Sequence, residues 1–248
     1  MNNKEFNKIL KESFCTYLIT SSRSNEKLKI LHGFIAKKLK NSFNNENILV
    51  HSINKDGGQE KKMNGLFVNK KVDIVISKNN KDICGIAIKF VMSNYFQNSN
   101  NYFENMLGET SNIRGAGYGY FQIFIIDSKI PYFKQNKNID KWENININNL
   151  NKYKSMSTIN SEGNVHIPTK TLIYVCKKEF KNNKDSEEMV NLRNEEEYKK
   201  FCLEKNFEII QDDLKDVEFG KNIIFNDFEL FIKNVLKFVN NFIQDKNL

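Results

Sequence analysis

Two β-rich segments, "KKVDIVIS" (70–77) and "ICGIAIKF" (83–90), are separated by the turn-like "KNNKD" (78–82), and this pair constrains the chain more than any other feature. Apolar, β-branched runs joined across so short a polar stretch form an antiparallel hairpin. With Ser77 set against Ile83, Asp73 faces Ala87. Side chains alternate along a strand, so Asp73, Ala87 and Lys89 share one face while Ile86, Ile88 and Phe90 point to the other. A register slip of one residue would separate the acid from the lysine. A buried strand that carries a lysine near its end needs a partner for that charge, and the hairpin supplies one.

The rest of the sequence surrounds this hairpin with alternating elements. Residues 3–15 and 24–42 place apolar side chains at three- and four-residue spacing, as with Leu28, Leu31, Ile35 and Leu39, and are predicted helices. "NILVHSI" reads as a strand, followed by the glycine-bearing turn region "NKDGGQEKKMNG". After the hairpin, the amide-rich "SNYFQNSNN" reads as a loop and "YFENMLGETSNIRG" as a helix stopped by glycine. "YGYFQIFIID" and "TLIYVC" are predicted buried strands, with a helix in "NININNLNKYKSM" between them and Pro168 held outside the ladder. Residues 183–205 are charged and partly helical. A final helix near 227–244 carries the apolar face Phe228, Phe231, Val235, Phe238 and Phe242. The order predicts an α/β fold, a mixed central β-sheet flanked by helices. It reads as one domain over residues 1–248, with a core at about 45–180 and a C-terminal helical portion at about 183–248.

Composition narrows the partner class. With 248 residues, 40% hydrophobic, the chain can bury one sizeable core. Its net charge of +8 and pI near 9.1 favour a polyanion. Four scattered cysteines lack the spacing of a zinc site and read as free thiols, mostly in the core. The sequence has no apolar stretch long enough to span a bilayer and no secretory h-region at its start, which predicts a cytoplasmic protein without membrane contact. It contains no P-loop, nucleophile elbow or paired-cysteine motif, so the NTPase, serine-hydrolase and zinc-finger readings lack support.

An acid and a lysine projecting from one face of neighbouring strands are working parts of a metal-dependent phosphodiesterase. Oxygen ligands hold the small, hard Mg²⁺ and leave positions for water and phosphate. A lysine beside them orients the attacking water and offsets charge building in the transition state. "KKVDIVI" followed by "IAIK" resembles the PD-(D/E)XK nuclease superfamily, which includes many type II restriction endonucleases, over roughly residues 64–127. Val72 stands where that family often has proline, and Ala87 where it has its second acid. A known variation moves the acid to the following helix. Glu104, 15 positions after Lys89, is then the leading candidate, with Glu109 the alternative. On a helix the two point about 140° apart, so one ion would take only one of them. The resemblance implies a restriction-endonuclease-like fold in which Asp73 and Glu104 bind Mg²⁺ and Lys89 serves the attacking water. It also implies a homodimer that cuts double-stranded DNA and leaves 5′-phosphates. Ala87 also fits an inactive nucleic-acid-binding module on a nuclease fold, and the aromatic C-terminal helix fits a third alternative, a structural or assembly protein that uses it to hold a partner.

Further candidates surround this set. Asn94, Gln97, Asn98, Asn100 and Asn101 are suited to reading base edges, since an amide bonds adenine N6 and N7 together. Lys70, Lys71 and Arg114 are candidate phosphate contacts. Each has a structural alternative. Asn is common throughout the chain, Asn101-x-x-Glu104 resembles a helix capping box, Glu109 suits a solvent-facing helix surface, and Lys89 can carry its stem along the core with its head in water. His51 is a possible general base and Glu60 a possible further acid, while His32 and His166 read as structural.

Overall fold

The computed structural model describes residues 3–20, 24–43, 45–215 and 217–246. The chain opens with α1 (Lys4–Ile19) and α2 (Glu26–Ser42), then β1 (Ile48–Ser52), β2 (Lys61–Met63), β3 (Lys70–Val72), β4 (Ile74–Lys78) and β5 (Lys81–Val91). α3 (Tyr95–Gly115), β6 (Gly119–Asp127), β7 (Lys129–Phe133), β8 (Ile139–Asn144), a 3-10 turn at Ile147–Leu150 and α4 (Asn151–Ser157) follow. The chain then runs through β9 (Lys170–Phe180), α5 (Asn183–Met189), α6 (Glu195–Glu204), β10 (Phe207–Gln211), β11 (Ile223–Phe225) and α7 (Phe228–Asp245).

The fold is α/β. A mixed sheet runs in the order β1-β4-β5-β6-β9-β10, with β11 joined to β9. Its centre, β5-β6-β9, is parallel, and the outer β1-β4-β5 and β9-β10 pairs are antiparallel. The central strands are nearly continuous apolar runs because helices cover both faces. On one face Ile74, Ile86, Phe121, Ile123 and Tyr174 pack against Phe6 and Leu10 of α1, Leu31 and Ile35 of α2, and Phe231 and Val235 of α7. On the other, Phe124, Ile126, Ile173 and Val175 meet Met106 of α3 and Tyr153 and Met156 of α4. The aromatic stripe of α7 is therefore core: Phe228 and Phe231 are buried, and Phe238 and Phe242 pack against the same cluster. Three cysteines are buried and Cys15 is half-buried; all four are free.

Three sequence expectations need correction. The hairpin loop is Asn79-Asn80, not five residues; both have positive φ, 49° and 62°, the left-handed geometry that closes a two-residue hairpin and that Asn tolerates. Ser77 therefore pairs with Asp82 rather than Ile83, and an irregularity between Ile76 and Ser77 then sets Ile76 against Cys84 and Ile74 against Ile86. One position further on, Asp73 reaches Ala87 as expected. The amide-rich stretch is not a loop but the first turns of α3, which begins at Tyr95. Residues 183–205 do form α5 and α6, but the C-terminal portion at about 183–248 is not helical throughout, since β10 and β11 join the main sheet between α6 and α7.

Candidate active site

β3 leaves the main sheet at Asp73, a bend between β3 and β4, and pairs instead with β2. The departing strand frees the Ile88 N–H, which donates to Asp73 Oδ2 at 2.7 Å. That bond fixes the carboxylate at the sheet's edge. Beside it opens a cleft of about 280 Å³ whose lining includes Asp73, Ala87, Lys89, Tyr102, Glu109 and Gln122. Ala87 and Lys89 face it because they lie on the α3 side of β5, while Ile86 packs on the opposite face. From α3, Tyr102, Met106 and Glu109 reach the cleft at helical spacing.

The charges in this cleft are incompletely matched. Burial pushes Asp73 up to about 6, the Ile88 N–H opposes it, and the nearby Glu109 carboxylate raises it further. The Lys89 ammonium stands 4.5 Å from the centre of the Tyr102 ring. Although Lys89 is exposed overall, desolvation lowers its pKa, with Asp73 and Glu109 only partly offsetting that. Glu109 accepts from Lys70 Nζ at 2.6 Å and from the Tyr120 hydroxyl at 3.3 Å. Burial and then Glu109 push the Tyr120 phenol well above its ordinary value, so it stays a neutral donor. On β6, Gln122 sits beside Ala87 in parallel register. It is buried, and its Nε2 has no hydrogen-bond partner among the described residues.

The structure brings together Asp73, Lys89, Glu109, Lys70 and Lys71. Glu104 is exposed and outside the cleft lining, near Lys152, because five positions of helix turn it away from Glu109. Its expected capping box does not form, since Asn101 lies inside α3 rather than at its start.

Two of the expected nucleic-acid contacts serve the fold instead. Asn94 holds β7 as a strand partner would, donating to Phe133 O at 2.8 Å and accepting from Phe133 N at 3.0 Å. Arg114 donates to the backbone carbonyls of Ser161, Asn164 and Ile167, pinning the segment before β9. Asn98 donates to Asn94 O and Asn100 accepts from Lys152, while Gln97 and Asn101 are exposed on α3. His51 bonds Ser77 Oγ at 2.9 Å and lies outside the cleft lining.

Sequence reasoning passed over Gln122, Tyr102 and Tyr120. A lone amide inside the apolar run "YFQIFIID" was a readable signal for the first; the tyrosines gave none. It also assigned His32 to structure. In the fold His32 and Glu60 stand beside Asp73, on the side facing α2, with one potential ligand atom from each lying within 4.8 Å of the others. No protein-family model matches the sequence, and no curated protein or solved structure matches it, so the reading of this cleft rests on its own geometry.

Proposed function

We propose that the chain is a Mg²⁺-dependent endonuclease that hydrolyses double-stranded DNA in the manner of a type II restriction enzyme, on a restriction-endonuclease-like fold. The observation that carries this reading is the convergence of Asp73, Glu109 and Lys89 on one cleft rimmed by Lys70 and Lys71. The donor set fits a hard dication: two carboxylates share a partly desolvated cleft, and the one at Asp73 is pushed up to about 6, chiefly by burial with the Glu109 charge adding to it, a penalty that a cation relieves. Asp73 and Glu109 would hold Mg²⁺, which when bound stabilises charge on a phosphoryl oxygen and acidifies a water.

The chain's own side chains supply the rest. The Lys89 ammonium orients the attacking water and balances charge on the phosphate; desolvation lowers its pKa, which makes it a readier proton donor than a fully solvated lysine. Gln122 Nε2, buried and without a hydrogen-bond partner among the described residues, is an available donor to a phosphate oxygen. The hairpin that ends in Asp73 carries Lys70 and Lys71, and its tip exposes Leu66, Phe67 and Val68. Asn112 holds that tip by accepting from the N–H groups of Phe67 and Val68 and donating to Val68 O. Lysines beside a rigid apolar tip suit a phosphate backbone with a base step next to it. Two copies of the chain would cut the two strands, and since the α7 stripe is buried, they would meet through another surface. No described helix is long and apolar enough to cross a membrane.

The test is digestion of plasmid and linear DNA with and without Mg²⁺, read on denaturing gels for 5′-phosphate ends. Mg²⁺-dependent cutting that Lys89→Ala abolishes, with DNA retention intact in a gel-shift assay, supports the reading. No cutting across varied sequences, pH values and divalent ions overturns it. Ala87 favours one alternative, an inactive DNA-binding module. That reading predicts salt-sensitive binding without turnover and no thermal stabilisation by Mg²⁺.

A further inference from the structure

Beneath the cleft, on the opposite side of Asp73, His32 and Glu60 approach the same carboxylate, and the nuclease chemistry uses neither of them. His32 on α2 is 1% exposed, and neither ring nitrogen has a hydrogen-bond partner among the described residues. Leaving an imidazole buried without partners is costly, because both its donor and its acceptor lose water. Its Nδ1 points toward Asp73, 3.9 Å from Oδ1, and Glu60 completes the group.

The surrounding chain builds this meeting. Glu60 ends the loop between β1 and β2, and that loop is wound around Asn54, whose Oδ1 accepts from the N–H groups of Asp56 and Gly58. The loop seats against α2 at Gly33, where a Cβ would stand 3.0 Å from Asn54 Cβ. Close approach next to His32 brings Glu60, 28 residues away in sequence, to the ring. An adjoining cavity of about 250 Å³, lined by His32 and Asp73 as well as Ser13 and Lys27, gives the side chains room to close around an ion.

We propose that His32, Glu60 and Asp73 form a binding site for a divalent first-row transition ion, distinct from the oxygen-only Mg²⁺ site and joined to it through Asp73. One imidazole and two carboxylates match Mn²⁺ or Zn²⁺ better than Mg²⁺. Ligand atoms on one such ion lie about 3–4 Å apart, given metal–ligand bonds near 2.1 Å, so the present separations need only a modest contraction. Lys27 and Lys89 line the adjoining cavity and moderate the affinity without supplying a ligand.

The site is independent of any cleavage, and its test reads binding. The full-length chain, stripped with EDTA, is titrated with Mn²⁺ by electron paramagnetic resonance and with Zn²⁺ by calorimetry. The wild type is expected to show a class of sites that Glu60→Gln and His32→Ala each weaken at least tenfold and that Glu109→Gln leaves in place. Glu60 lies on a partly exposed loop, so its variant keeps the test valid should His32→Ala fail to fold. Paramagnetic broadening of the His32 ring signals by Mn²⁺ that persists in Glu109→Gln and is lost in Glu60→Gln assigns the ion to this site rather than to the cleft. Wild-type affinity and stoichiometry in Glu60→Gln, or loss of all binding in Glu109→Gln, would overturn the proposal. Absence of DNA cleavage in a protein that binds Mn²⁺ this way would overturn the nuclease reading alone.

Discussion

The sheet carries an acid and a lysine on neighbouring strands at two places, and the two are built oppositely. At the end of β6, Asp127 bonds Lys178 of β9 directly, and the side chains are 7% and 2% exposed. The Lys178 ammonium also lies 4.9 Å from the Phe14 ring centre, and Asp127 Oδ1 accepts from Lys129 N at 2.9 Å. Burial works to lower Lys178, but the charge and hydrogen bond of Asp127, together with the nearby Cys202 and Cys176, outweigh it and the pKa ends above its ordinary value. At the other place, desolvation lowers Lys89 despite two carboxylates nearby, and Asp73 is raised rather than held down. Asp127 and Lys178 form a closed, satisfied pair. Asp73 and Lys89 keep unspent charge in an accessible cleft, the condition chemistry requires. Residue type and strand adjacency are common to both, so they cannot by themselves mark a site.

Removing one lysine from each pair separates the two roles most sharply. Lys89→Ala is expected to lower single-turnover DNA cleavage by about 10³–10⁴-fold, the upper range for a positioned acid–base group, with little change in melting temperature. Lys178→Ala strands a buried carboxylate and is expected to cost about 3–5 kcal/mol, or roughly 10 °C in melting temperature. Replacing both partners, Lys178→Met with Asp127→Asn, should recover much of that loss. Equal thermal losses from the two single lysine variants would erase the distinction.

A smaller effect of opposite sign follows at Asp73. Its folded pKa, about 6, lies above the ordinary 3.8, so the fold favours the neutral acid. That contribution is fully present below about pH 4 and is lost as pH rises through 6. Above pH 7 and without metal, ionised Asp73 costs up to about 3 kcal/mol, an upper limit because the carboxylate keeps some water. Asp73→Asn, whose amide oxygen can still accept from Ile88 N, is therefore expected to melt several degrees above the wild type at pH 8 in EDTA. The two curves should converge near pH 4, and saturating Mg²⁺ should narrow the gap at pH 8. A variant less stable than wild type at pH 8 would show that Asp73 sits in a satisfied environment, like Asp127.

What the sequence made legible was local and periodic. Alternation in "KKVDIVIS" and "ICGIAIKF" placed Asp73, Ala87 and Lys89 on one face, although the turn and the irregularity at Ile76/Ser77 were hidden because their two errors cancel at Asp73. The start of α3 was hidden because Asn and Ser disfavour helix interiors. Here Asn94, in left-handed geometry at φ 51°, is held by β7, a contact 39 residues away. Arg114 could not be excluded as a phosphate ligand from sequence, since its carbonyl partners lie 47 to 53 residues downstream. His32 and Glu60 meet through a loop closure that no spacing rule encodes.

The choice between the two α3 glutamates is the finest test of what makes the cleft open. Glu109 faces Asp73 and is already oriented by Lys70 and Tyr120, so a neutral amide there would remove the proposed cation ligand without moving the helix. Glu109→Gln is expected to weaken Mg²⁺-dependent cleavage by at least tenfold and to shift the Mg²⁺ requirement upward, with a melting temperature close to wild type. Glu104→Gln removes an exposed charge that lies outside the cleft lining and is expected to leave cleavage within twofold. Measuring both as a function of Mg²⁺ concentration distinguishes a ligand from a distant charge, because only a ligand changes the concentration at half-maximal rate. The reverse result would mean that α3 rotates by nearly half a turn when DNA binds, so that the acid reaching Asp73 is set by substrate rather than by the fold.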